Sequence, residues 1–468
     1  MFDMTRRCFL ACAAAAGAKT FAAGVPAGAP RLKLGVLSDI HIYDERQLPV
    51  FERALAFFRD AGADGVIIAG DMADRGLTDQ LALVAQAWFK VFPENKASDG
   101  RIVEKLFVYG NHDVQGHGYG DTPRKLEEMY PDEAERARHR IATDPAAAWE
   151  THFREPWQPV YAKKVKGYVF IGSHWGHERE LDAFLKAHET ELGLKEGRPF
   201  FYAQHPHPGN TVYGPWAWGN DRGTSTRPLS RYPNAVAFSG HSHHSLTDER
   251  SVWQGAFTSI GTSSLSYIFA QYWRENGDSC KAEPIKQMPC LGQALAKQGM
   301  LVRVYDGALA IERREFMGGE KVGPDWVVPL DGSNAFAFAT RGAKAVAPEF
   351  EPGAAVTVTR AMGKDRKGTP TDQVTVSFPA AKPSSTSRVY DYEVQAIVWN
   401  EDVDRPVATK RVFSTSFHLP PTREAKGGAC VFAVSELPAK QSVHFAVRPV
   451  ECYGRKGRAI VSAPQTFA

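Results

Sequence analysis

The sequence predicts an α/β domain followed by an all-β domain, and three observations carry that expectation. Apolar runs of strand length alternate with helix-like patterns through the first part of the chain. Polar, metal-capable residues stand where those runs end. Beyond about residue 320 helical periodicity disappears, and short alternating segments separated by Pro, Gly and Ser take over. With 468 residues, 43% of them hydrophobic, the chain has material for a large core and for two or three domains. The formal net charge is +3, and Asp3, Arg6, Arg7 and Lys19 contribute +2 of it within the first 27 residues. The balance gives no reason to expect a nucleic-acid polymer as partner.

Taken in order, the chain opens on "TRRCFLACAAAAGAKTFAAG", an arginine pair, a short Ala-rich apolar stretch and small residues suited to cleavage. It resembles a twin-arginine export signal through Thr5, Arg6, Arg7, Phe9 and Leu10, which implies the twin-arginine translocation machinery as a partner. Cleavage after Ala23 or Ala27 fits, so residues 1–27 are expected to be an address and the mature protein to be periplasmic or extracellular. Cys12 also permits a lipoprotein, which Phe9 and Leu10 suit poorly. No later segment reaches the roughly 18 uninterrupted apolar residues of a membrane span. Removal of the signal leaves Cys280, Cys290, Cys430 and Cys452, and in an oxidising compartment an even number favours disulfides, most simply 280 with 290 and 430 with 452.

Strands are expected at "LKLGVL", "GVIIA", "KLFVY", "YVFIG", "FFYAQ" and "AVAFS", with helices around 46–60, 77–91, 122–137 and 179–192. "SDIH" follows the first strand, "GDMADRG" the second, "GNHD" the third, "HPHP" the fifth and "GHSHH" the sixth. Polar side chains at strand ends are where α/β sheets place their sites. Asp39, His41, Asp71, Asn111, His205, His241 and His243 offer carboxylate, amide and imidazole donors enough for two metal ions of borderline hardness, one carboxylate serving as bridge.

The series Asp-x-His, Gly-Asp, Gly-Asn-His-Asp, His and Gly-His-x-His resembles the calcineurin-like metallophosphoesterase superfamily, over roughly residues 31–317. The resemblance implies a β-sandwich flanked by helices and hydrolysis of a phosphodiester or phosphomonoester at two divalent or trivalent metal ions, Mn, Fe or Zn. It implies that Asp39, His41 and His243 hold one metal, that Asn111, His205 and His241 hold the other, and that Asp71 bridges. His112 would contact phosphate or protonate the leaving oxygen. "GDMADRG" is similar to the loop of serine/threonine protein phosphatases, implying that Asp74 orients the catalytic His and that Arg75 meets phosphate. Ile42 and Asp113 depart from that branch, and Asp74 stands where purple acid phosphatases carry a tyrosine. The overall style is similar to bacterial phosphodiesterases. The other reading is a surface-binding protein that uses this scaffold without turnover.

Small-substrate recognition is expected from the long loop after His205, with His207, Trp216, Trp218 and Arg222 as candidates, because rings beside guanidinium groups suit a base or sugar. Residues 31–320 form the expected phosphoesterase domain. Residues 325–468, with seven short strands from "AVTVTR" to "RAIVSA", predict a β-sandwich. Its end resembles the last strands of a fibronectin type III domain, although Val443 replaces that family's corner tyrosine. No catalytic constellation occurs there, so the region is expected to be separable from chemistry and to serve, if anything, a cell-surface polymer.

Overall fold

Two sheets packed face to face carry the site, and the computed structural model describes residues 24–115, 131–134, 145–214, 217–269, 274–277, 296–365, 368–398, 405–423 and 425–467. Three parallel strands begin the first sheet: β1 (Leu32–Leu37), β2 (Gly65–Ala69) and β3 (Glu104–Val108). Their alternation splits the side chains. Leu34, Val36, Ile67, Ala69, Leu106 and Val108 face the second sheet, while Val66, Ile68 and Phe107 face a helical layer. Helix α1 (Leu48–Asp60) begins with a proline in its first turn and buries Phe51, Ala54, Leu55 and Phe58, a stripe spaced three and four residues apart. Each of its large side chains contributes roughly 1.5–3 kcal/mol by burial. Helix α2 (Thr78–Val91) and, further along, helices α3 (Asn111–Gln115) and α4 (Pro145–Phe153) follow.

The second sheet has the order β4-β5-β6-β7-β9-β8, formed by β4 (Val160–Val165), β5 (Tyr168–Ser173), β6 (Phe200–Ala203), β7 (Ala235–Ser239), β8 (Val252–Gln254) and β9 (Thr258–Gly261). Helix α5 (Leu181–His188) covers its outer face through Leu181 and Leu185. The chain then returns to the first sheet, where β10 (Gln298–Tyr305) runs antiparallel to β1, and β11 (Ala308–Glu315), β12 (Glu320–Lys321) and β13 (Trp326–Pro329) extend it. The first sheet therefore reaches Pro329, past the expected junction at 320–325. The six expected strands appear, and the helix expected over 122–137 lies outside the described residues except at 131–134.

Among the described residues, β3 is the last strand at one end of its sheet and β4 the last at one end of the other. Side chains of β4 bond to the backbone of β3: Tyr161 Oη donates to Phe107 O at 2.8 Å and Lys163 Nζ to Lys105 O at 2.7 Å.

The C-terminal region is two antiparallel sheets around one core. One contains β14 (Thr357–Lys364), β15 (Pro370–Phe378) and β18 (Gly428–Ala433). The other contains β16 (Val389–Val398), β17 (Arg405–Phe413), β19 (Ser442–Glu451), β20 (Ile460–Val461) and β21 (Gln465–Thr466). The expected bridge between Cys430 and Cys452 is absent, and both are free thiols. Cys430 lies in the sandwich core while Cys452 packs beside Tyr390, Phe413 and Phe417 in a separate cluster, so the two face different surroundings. Cys280, Cys290 and the signal-like stretch lie outside the described residues, and no described helix is long and apolar enough to cross a membrane.

The two regions meet through polar contacts. Arg274 Nε donates to the fully buried Asp391 at 2.5 Å, Asn276 exchanges two hydrogen bonds with the backbone of Phe413 at 2.8 and 3.0 Å, and Arg250 Nη2 donates to Tyr390 Oη at 3.0 Å.

Candidate metal centre

Five strand ends converge on one point. β1 delivers Asp39 and His41, β2 delivers Asp71, β3 delivers Asn111 and His112, β6 delivers His205, and β7 delivers His241 and His243. Asp39, His41, Asp71, His241 and His243 have φ between 49° and 73°, the left-handed region that a non-glycine residue enters at a cost on the order of 1 kcal/mol each. Hydrogen bonds hold the strained turns: Asp39 N–H donates to Gly70 O at 3.0 Å, His41 N–H to Asp71 O at 3.0 Å, and His241 N–H to the Asp39 carboxylate at 3.0 Å. Two glycines are obligatory. A Cβ on Gly70 would run into the His205 ring, and one on Gly240 into Ser38 and the Asp39 carboxylate.

The donors fall into overlapping groups. Asp39, His41 and His243 form one, Asp71, His205 and His241 another, and His41, Asp71 and His112 a third, with Asp71 shared. Asp71 Oδ2 lies 3.0 Å from His205 Nε2 and 3.7 Å from His41 Nε2, and Asp39 Oδ1 lies 3.0 Å from His243 Nε2. The outward nitrogens are committed. Nδ1 of His41 donates to the Asp74 carboxylate at 3.2 Å, Nδ1 of His205 to Ala69 O at 2.7 Å, Nδ1 of His243 to Tyr267 O at 3.0 Å, and Nδ1 of His112 to Asp74 O at 2.6 Å. Such bonds fix the tautomer that leaves Nε2 free for a metal.

As a result ring nitrogens face one another. His41 Nε2 and His243 Nε2 are 3.3 Å apart, and His205 Nε2 and His241 Nδ1 are 3.0 Å apart. His41 and His243 both give away their Nδ1 protons, so in their neutral forms two lone pairs face each other there and repel unless a cation lies with them. Asn111 Oδ1, next in the chain to His112, is buried with no hydrogen-bond partner, which leaves an acceptor unsatisfied. Charge points the same way: burial penalises their charged forms, yet the neighbouring histidines hold the Asp39 and Asp71 carboxyls far below the usual range. Burial opposes a charged His205, but Asp71 and Asp39 outweigh it and raise His205 to about 9, while burial and His205 press His241 down to about 3. The residues present fit a pair of metal cations.

All seven sequence-predicted ligands thus meet. His112 joins them, its N–H donating to Asp71 Oδ1 at 2.9 Å. Asp74 orients His112 with its backbone carbonyl, whereas its carboxylate holds His41. Arg75 Nε stands 3.6 Å from Asp74. The described bonds of Asp113 go to backbone rather than to the His112 ring. Asp113 staples two loops by accepting from the N–H groups of Met72, Ala73 and Gly110, and burial together with Asp71 pushes it up to about 7.

The substrate candidates separate. His207 is 1% exposed and spans Ser239 Oγ at 2.8 Å and Ser242 Oγ at 2.5 Å, so it supports the His241 loop from beneath and lines no opening. Trp218 is 40% exposed, its ring 5.3 Å from that of His241. Arg222 is exposed, and its guanidinium makes no described contact with the ligands. Trp216 lies outside the described residues.

Other supports escaped sequence reasoning. The segment from Ser263 to Phe269 clamps one group of ligands: Ser264 Oγ donates to Asp39 O at 3.0 Å, Tyr267 O holds His243, and Phe269 N–H donates to His243 O at 2.9 Å. Gln298, fully buried, anchors it. Its Oε1 accepts from Leu246 N–H at 2.7 Å, Ser245 Oγ at 3.1 Å and Ser263 Oγ at 3.2 Å, and its Nε2 donates to His418 O in the C-terminal sandwich at 3.0 Å. No local pattern marks a lone glutamine at a strand start. Tyr43, two residues beyond His41, was signalled by position alone.

A family model described as calcineurin-like phosphoesterase matches residues 32–245. The fold is similar to a dimetal phosphatase from Danio rerio, 11% identical with a TM-score of 0.37, over 64% of this chain and 100% of that one. It is also similar to a purple acid phosphatase from yellow lupin seeds, 11% identical with a TM-score of 0.39, over 65% of this chain and 56% of that one. No curated protein matches.

Proposed function

Starting from a calcineurin-like phosphoesterase domain over residues 32–245, we propose that the chain is a metal-dependent phosphoesterase that hydrolyses a small phosphodiester or phosphomonoester. The observation that carries this reading is the pair of opposed imidazole nitrogens on either side of Asp71, with Asn111 Oδ1 unpartnered beside them. Asp39, His41 and His243 would hold one ion, Asn111, His205 and His241 the other, and Asp71 both. Two ions such as Mn, Fe or Zn supply the charge that activates a water and neutralises phosphoryl oxygens.

The chain's own residues do the rest. The strained turns fix the ligands before substrate arrives, so little reorganisation is left for the reaction. His112, its Nδ1 proton given to Asp74 O, keeps Nε2 toward the reacting atoms, where it carries a proton to the departing oxygen. Asp74 holds His41 in register, and Arg75 lies beside it to meet a phosphoryl oxygen. A binding protein without turnover would not need His112 arranged in this way. Metal analysis and a hydrolysis screen of the mature protein with Mn, Fe and Zn against mono- and diesters test the reading; a protein that binds two metals yet cleaves nothing leaves the scaffold reading in its place.

Residues 31–329 are taken as the catalytic domain, since β13 pairs with β11, and the sandwich that begins with β14 at Thr357 as a fibronectin type III-like companion. Export through the twin-arginine route to the periplasm or beyond belongs to the same proposal, supported by Arg6, Arg7 and the apolar run after them. Replacing both arginines with lysine should retain the protein in the cytoplasm, and unchanged export would mean another route.

A further inference from the structure

Among the described residues, the exposed large hydrophobic side chains include just two aromatic ones, Tyr43 at 39% and Trp218 at 40%. Trp218 packs on His241, whereas Tyr43 is linked through Arg75 and Asp74 to His41, in the other ligand group. Tyr43 follows His41 by two residues, and Arg75 Cζ lies 5.7 Å from its ring centroid. Trp218 rests one side against the rings of His241 at 5.3 Å and Phe269 at 5.5 Å and leaves the remainder to solvent. A large exposed ring costs solvation, and rings placed at a site mouth commonly mark recognition. One would serve a substrate with a single arm. Two, beside ligands of different ions, suit a phosphorus atom carrying two substituents.

We propose that the substrate is a phosphodiester with a planar ring on its non-leaving arm, and that Trp218 is the platform on which that ring stacks. The proposal rests on the phosphoesterase reading above. The direction of the arms follows from His112, whose ring is 4.5 Å from that of His41 and whose Nδ1 bonds Asp74, the residue next to Arg75. The acid therefore lies on the Tyr43 side, where the leaving oxygen must be, and the arm that stays on phosphorus is directed to Trp218. One water is consumed: its oxygen forms the new bond to phosphorus, the bond to the leaving oxygen breaks with its electron pair, and that oxygen takes a proton from His112, which recovers one from the attacking water. A monoester bearing the ring and a free alcohol leave. No lysine or arginine is ion-paired to Asp39 or Asp71 among the described residues, so ring contact rather than added positive charge distinguishes the arms.

Phenyl 4-nitrophenyl phosphate and methyl 4-nitrophenyl phosphate share a leaving group and differ in the remaining arm. The metal-loaded full chain is expected to favour the phenyl ester by about tenfold in kcat/KM, the size of one stacking contact. Trp218→Ala should abolish the preference, the phenyl ester losing about tenfold more in kcat/KM than the methyl ester and losing it through KM. Trp218→Phe should restore it. An unchanged preference in Trp218→Ala, or equal loss on both esters, overturns the assignment. Hydrolysis of 4-nitrophenyl phosphate but of neither diester by the wild-type protein overturns this proposal alone, whereas hydrolysis of none of the three with two metals bound overturns the phosphoesterase reading itself.

Discussion

Asp71 is a single side chain with two obligations, 3.0 Å from His205 Nε2 and 3.7 Å from His41 Nε2. Asp71→Asn keeps the volume and removes the charge, so both ions should be lost, which metal analysis after dialysis would read; two ions per chain in the variant would take Asp71 off the bridge. His112→Ala is expected to keep both ions and lose turnover unevenly. An acid matters most when the leaving oxygen is basic, so the loss should be about 100-fold or more for alkyl leaving groups and much smaller for 4-nitrophenolate. Equal losses would make His112 a contact to phosphate only. At this scale the sequence was informative because the donors follow apolar runs, and Asp71, Asn111 and His241 also follow glycine. His207 misled for the same reason: "HPHP" offers two equivalent histidines, and only the packing of Ser239 and Ser242 around the second reveals it as a support. Tyr267 holds His243 through its carbonyl and packs its ring 4.1 Å from that of His243, contacts made across 24 residues of chain.

The segment from Ser263 to Phe269 bonds Asp39 and His243, proposed ligands of the same ion, and makes no described hydrogen bond to Asn111, His205 or His241. Gln298 fixes that segment, so Gln298→Leu should loosen one ion and spare the other. Dialysis against a weak chelator is expected to leave one ion per chain in the variant and two in wild type. Equal retention would detach the clamp from the ion. The strands of the parallel core were legible from their apolar runs, because strands buried on both faces need nothing else. Those from β8 to β13 were not, since they are short or carry charges such as Arg303, Glu312 and Arg313 that find partners only in the folded sheet. The free cysteines make the same point: count and compartment argue for pairing, but the sheets set Cys430 and Cys452 in separate clusters.

Across the whole molecule the regions are less independent than their sequences imply, since Gln298, Arg274, Asn276 and Arg250 all reach across. His418 lies at that junction, 4% exposed, with neither ring nitrogen partnered. Burial, aided by His244 and Arg388 and opposed by Asp248, pushes it down to about 3. An unfolded histidine takes its proton near pH 6.5. Between those values the unfolded chain binds more protons, so stability should rise with pH and fall as the solution is acidified from about 6.5 toward 3. His418→Phe should lose less Tm than wild type between pH 7.5 and 5, followed by thermal melting; identical slopes would place the sensitivity elsewhere. The junction is invisible in sequence because its parts are separated by more than a hundred residues.

A last consequence comes from the edge where β3 and β4 end their sheets. An uncovered outer strand presents a row of empty rungs, and a second molecule can dock its own strand there and begin a fibre. Tyr161 and Lys163 have already taken the rungs at Phe107 and Lys105. At those two positions the sandwich is in this sense finished: crowding such molecules together gives a neighbour no ladder to continue there, because two side chains already hold the rungs.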